Sequence, residues 1–167
     1  MVKGLYGYLS DAWRQGKFEL DLIKLRQEPS LVMLKKPTRL DKARRLGYKA
    51  KPGIYVARVK LKRGGHKRPR PRSGRKTSKQ TIRKALRMNY RWIAEQRAAR
   101  KTGLEVLNSY WLAKDGKYYW YEVILVDPSE PSIKADEQLK WITNKKNRGR
   151  AFRGLTSAAK KARGLRA

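Results

Sequence analysis

Residues 104–128, LEVLNSYWLAKDGKYYWYEVILVDP, decide the architecture. Asp115-Gly116 lies between two flanks rich in aromatic and branched side chains, and Asp-Gly between such flanks signals a β-hairpin. A two-residue type I′ turn there sets Trp111 opposite Trp120 and Tyr110 opposite Tyr121. Leu104, Val106, Tyr110, Leu112, Tyr119, Tyr121, Val123 and Leu125 then share one face. Asp127-Pro128 ends the ladder, because proline has no N–H to donate.

Working back from the hairpin, the pattern predicts a helix over 78–101, with Ser78 as cap and Gly103 as terminator. Ile82, Ala85, Leu86, Asn89 and Ile93 form its inner stripe, and Arg83, Lys84, Arg87 and Arg91 lie on the other side. Pro52-Gly53 introduces a strand over 54–62. Its Tyr55, Ala57, Val59 and Leu61 alternate with Ile54, Val56 and the bases Arg58, Lys60 and Lys62, so one face turns basic. Residues 31–34 read as a short strand. Two short amphipathic helices precede it: Leu5, Tyr8, Leu9, Ala12 and Trp13 share a face, Gly16 interrupts, and Phe18, Leu22, Ile23 and Leu25 resume before Pro29. Downstream, 131–143 reads as a weak helix and a turn around Trp141, and 157–163 as one short helix. The expected fold class is α+β, a small antiparallel sheet with packed helices plus long basic extended segments. It forms a single domain over 1–167. Its body is mainly 1–34, 53–61 and 79–143, with extensions at 35–52, 62–78 and 144–167.

Charge is distributed in blocks. The 167 residues carry 44 Lys and Arg against 13 Asp and Glu, a net +31. Residues 42–94 hold no acid and 20 bases, and 138–167 hold no acid and 10. The remainder is close to balanced. Such blocks need an outside polyanion, which points to nucleic acid. Gly64-Gly65, Gly74, Pro69 and Pro71 favour an extended path on which Arg68, Arg70 and Arg72 point in different directions. This suits threading into folded RNA, and the segment is expected to stay unstructured until RNA supplies counter-charge.

Catalytic signals are weak. The one histidine, His66, has no metal-ligand neighbour at helical spacing. Gly74-Arg75-Lys76-Thr77 departs from a phosphate-binding loop, which needs Lys directly after Gly and a further Gly where Pro69 stands. No Ser or Thr has a base in prospect. There is no cysteine, hence no disulfide and no thiolate metal site. The N-terminus has no signal-like apolar run, and the longest aliphatic run is Val123 to Val126, which together read as a cytoplasmic protein. The hairpin aromatics fit sheet packing, with a few members such as Trp111 or Trp120 open to RNA. The basic-Gly-aromatic signature of an RNA-recognition motif is missing from the strands.

Several stretches resemble the large-subunit ribosomal protein family of archaea and eukaryotes numbered fifteen in its "e" series. They are Pro37-Thr38-Arg39, residues 41–51 (DKARRLGYKAK), Arg63-Gly64-Gly65 with Lys67-Arg68-Pro69, and Leu107-Asn108-Ser109-Tyr110-Trp111. Glu122-Val123-Ile124-Leu125, Trp141-Ile142-Thr143 and residues 153–158 (RGLTSA) complete the set, in the family's order. The N-terminal helices resemble the family more loosely. Eukaryotic members run on past Arg163-Gly164-Leu165 in a longer basic tail, and the stop at Ala167 is expected of an archaeal member or of a shortened chain.

The resemblance implies a non-catalytic structural component of the large ribosomal subunit that binds and stabilises 23S/28S-type rRNA. Neighbouring ribosomal proteins are its further partners, with no membrane and no homo-oligomer. No cofactor is expected, Mg²⁺ being held by the rRNA. The candidate rRNA contacts are Arg39, Lys42, Arg44, Arg45, Lys49 and Lys51, then Arg63, His66, Lys67, Arg68, Arg70, Arg72, Arg75 and Lys76. Arg83, Arg87, Arg91, Arg148, Arg150, Arg153, Lys160, Lys161 and Arg163 follow. An architectural DNA-binding protein shares the charge and is the alternative. An RNA-processing enzyme using acids such as Glu105 or Glu122 is a more distant one.

Overall fold

The computed structural model of the chain describes residues 3–64, 66–67, 83–84 and 86–166. Its centre is the hairpin of β5 (Glu105–Lys114) and β6 (Tyr118–Val126). β2 (Ile54–Lys62) pairs with β6 from Ile54↔Val126 to Lys62↔Tyr118, and β1 (Leu31–Leu34) pairs with β2. The sheet is antiparallel, in the order β1-β2-β6-β5.

The hairpin register differs from the expectation. Trp111 pairs with Tyr121, Tyr110 with Glu122, and Trp120 with Ala113, with irregularities at Leu107 and Leu112. The turn is the first reason. The Asp115 carboxylate accepts from the N–H of Lys117 (2.7 Å) and of Tyr118 (2.5 Å), an Asx-type closure, while Gly116 stays out of the left-handed region that a type I′ turn requires. The bulges are the second, since each inserts a residue and moves those beyond it to the opposite face. Leu104, Val106, Tyr119, Tyr121, Val123 and Leu125 share a face as expected. Tyr110 and Leu112 pack on the other side.

On the first face lies α4 (Tyr90–Thr102), whose Ala94, Ala98 and Ala99 allow close approach to Ala57, Val59, Val106 and Val123. Gly103 ends it at φ 73°, as the sequence indicates. Its start does not match Ser78. Asn89 is the cap, its side chain accepting from the Trp92 N–H at 2.8 Å. Arg83 and Lys84 instead form β4 (Arg83–Lys84), paired with β3 (His66–Lys67). Ser78 lies outside the described residues. Asparagine satisfies an N–H that the helix cannot, whereas prolonging the helix backward would stack Arg83, Arg87 and Arg91 four apart.

The second face is covered as well. α3 (Leu40–Arg45), α5 (Pro131–Lys134) and a 3-10 turn (Lys140–Thr143) bury Ala43, Ile133 and Ile142 against Val56, Tyr110 and Ile124. Leu25 of α2 (Leu22–Gln27) covers Leu112 and Trp120. α1 (Leu5–Arg14) lies beside α3. Its expected inner face is only partly buried, for Leu5 and Tyr8 remain 68% and 61% exposed. α6 (Ser157–Ala162) packs Ala158 and Ala159 inward beside α4.

Parts of two of the expected extensions pack inward. Ala43 and Tyr48 in 35–52, and Ala151, Thr156, Ala158 and Ala159 in 144–167, are buried. Being acid-free did not prevent them from folding, because their small and apolar side chains find cover.

Candidate nucleic-acid interface

The acids come first, because they determine which cations are free to act. Glu122, at the middle of β6, is wholly buried. It accepts from the Thr38 N–H (3.1 Å), the Thr38 hydroxyl and the Tyr110 hydroxyl. Burial and this neighbouring carboxylate push the Tyr110 phenol upward, so it remains a donor. Arg58 lies 3.6 Å from Glu122, donates to both Glu28 oxygens (2.8 and 3.0 Å) and reaches the Thr38 hydroxyl at 3.1 Å. Lys60 donates to the carbonyls of Arg26 (2.6 Å) and Glu28 (2.5 Å). The Arg58 and Lys60 part of the basic β2 stripe thus faces the protein's own N-terminal segment.

A second network ties α4 to β5 and the C-terminal segment. Buried Glu95 accepts from the hydroxyls of Ser109 and Thr156, both at 2.5 Å. Desolvation raises its pKa, and the two hydroxyls together with Arg91 and Arg150 oppose that rise. Arg91 donates to the Ser109 hydroxyl (2.8 Å), the Asn108 side chain (2.9 Å) and the Ser109 carbonyl. Arg150 donates to the carbonyls of Val106 (2.5 Å) and Leu107 (2.8 Å) beside the first bulge.

The candidate cations divide accordingly. Arg91 and Arg150 are engaged inside the protein. Arg39 binds Asp41 at 3.2 Å and lies over Trp13, and Lys49 and Lys51 share Asp136 at 2.9 and 2.5 Å. Lys42, Arg44 and Arg45 on α3 are exposed, as are Arg87, Arg148, Lys160 and Lys161. Arg63, Arg153 and Arg163 are exposed while each also donates to a backbone carbonyl. None of these ten takes part in an ion pair among the described residues. His66, Lys67 and Arg83 are placed on the β3–β4 ladder by their backbones. Arg68, Arg70, Arg72, Arg75 and Lys76 lie outside the described residues.

Of the two aromatics considered for RNA, Trp111 is 45% exposed. Trp120 is buried, with its indole N–H directed at the Leu25 carbonyl (3.3 Å), and is not available. The sequence reading also missed Thr38 as a ligand of Glu122 and Trp141 as a wall of a cavity beside α3. For Trp141 a signal existed: an aromatic among bases in a stretch with few other apolar side chains.

Fold and surface define a class: a basic α+β protein that buries Asp41, Glu95 and Glu122 and displays many cations outside. The chain belongs to the Ribosomal L15 family, whose model matches residues 4–167. It is accordingly a ribosomal protein, a structural constituent of the large subunit. Among the described residues no helix is long and apolar enough to cross a membrane.

Proposed function

We propose that the chain binds and stabilises 23S/28S-type rRNA by neutralising phosphates where RNA helices crowd together. The observation that carries this is the division of cations just described. Buried and half-buried acids take up Arg39, Lys49, Lys51 and Arg58, leaving Lys42, Arg44, Arg45, Arg148, Lys160 and Lys161 outward and, among the described residues, without carboxylate partners. A surface of one sign attracts a polyanion and repels itself. The role is structural and involves no catalysis. Mg²⁺ belongs to the RNA, and neighbouring ribosomal proteins complete the surroundings in the cytoplasmic ribosome. Glu122, at the centre of its network, serves as a structural anchor.

Filter binding to large-subunit rRNA, with duplex DNA as competitor, tests the reading. Six to ten phosphate contacts make affinity fall roughly 10³- to 10⁵-fold between about 50 and 200 mM salt. An affinity indifferent to salt, or equal competition by duplex DNA, contradicts it.

A further inference from the structure

We propose that the cavity between α3 and the turn at Lys140–Thr143 receives one extruded nucleotide of RNA, its base on Trp141 and its phosphate at Arg44 and Arg45. The proposal rests on the rRNA-binding reading and adds a base-stacking site to it.

The cavity measures about 470 Å³, within the range of small-ligand clefts. Arg44, Arg45, Tyr48, Lys49, Leu107 and Trp141 are among the residues that line it. Trp141 is 40% exposed. The Arg150 guanidinium lies over its ring, 4.8 Å from the centroid, and is itself anchored on the carbonyls of Val106 and Leu107. Trp141 lines the cavity and Arg150 does not, so the guanidinium steadies the indole without being part of the wall. A base entering there extends a guanidinium–indole stack, and stacking on aromatic planes is how proteins hold unpaired RNA bases.

Gly47 and Leu107 meet on the lining, and the backbone there calls for glycine. The φ of +96° at Gly47 is a conformation other residues seldom adopt, and a Cβ there would lie 3.1 Å from Leu107. The electrostatics have one sign. Arg44 and Arg45, at the end of α3, are exposed, and Lys49 shares Asp136 with Lys51, two cations on one carboxylate. Gln138, also exposed on the lining, offers both a donor and an acceptor to a base edge. An apolar peptide side chain leaves the arginines unused, and an acidic one leaves the indole unused. A nucleotide engages both.

The test compares wild type, Trp141→Phe and Trp141→Leu on large-subunit rRNA, using base-specific probing with dimethyl sulfate and carbodiimide. Phenylalanine keeps a stacking plane, whereas leucine fills space without one. The expected result is one unpaired base protected by wild type and by W141F but reactive with W141L, within an otherwise unchanged footprint. Affinity should fall about tenfold for W141L and by no more than about twofold for W141F. Identical reactivity for all three proteins within an intact footprint overturns the stacking site alone. So does a cross-link in assembled subunits from position 141 to another protein. A wild-type chain that leaves no footprint at all overturns the rRNA-binding reading beneath it.

Discussion

Arg58 is the clearest case of a cation whose role is set by what surrounds it. Its side chain is 12% exposed and lies between Glu28 and the buried Glu122. Replacing it with alanine leaves a carboxylate without its cation in the interior, a loss of about 3–5 kcal/mol. Urea unfolding of the Arg58→Ala variant should show a decrease of that size, and a change under about 1 kcal/mol would place the charge compensation elsewhere. Glu95 makes a prediction about pH. Its unfolded value is 4.5, and burial raises the folded one. The stabilisation from protonating it is therefore full below 4.5 and lost as pH rises through the folded value. The stability of wild type relative to Glu95→Gln should increase as pH is lowered from neutrality toward 4.5. A difference that stays flat over that range contradicts the assignment.

At the level of elements, α4 depends on a single side chain at its start. Asn89 caps the helix through Trp92 and donates to the Ala158 carbonyl at 2.8 Å, so it holds α6 as well. Asn89→Ala should cost about 1–2 kcal/mol, read as a shifted urea midpoint with an unchanged slope. A loss near zero would mean that the helix begins earlier, where the sequence placed it. The contrast between elements explains what was legible. The existence of the hairpin, the strand at Ile54–Lys62 and the stop at Gly103 are legible in the local pattern, whereas the turn type and register of the hairpin are not. Nor are the bulges at Leu107 and Leu112, because side-chain alternation continues through them on paper. The Asp115 turn closes the hairpin just beyond the second, and Arg150 holds the carbonyls of Val106 and Leu107 at the first.

Across the whole molecule, the excess of positive charge was plain in the sequence, but its division was not. Lys49 and Lys51 meet Asp136 more than 80 positions away, and Arg58 meets Glu28 at 30. Linear spacing carries no trace of such pairs. Acid-free blocks consequently looked more extended than they are, since Tyr48, Ala151 and Ala159 anchor parts of them in the core. Of the candidate cations among the described residues, those that remain outward lie mainly on α3 and the C-terminal segment.

That subset is tested most directly by the salt dependence of affinity for large-subunit rRNA. Replacing Arg44, Arg45, Lys160 and Lys161 together with alanine should reduce the slope of log K against log salt by about 3. Replacing Lys49 and Lys51 should lower stability and reduce the slope by no more than about 1, since Asp136 offsets one of the two charges. A slope insensitive to the four outward residues, or reduced more by the two that hold Asp136, would contradict the account.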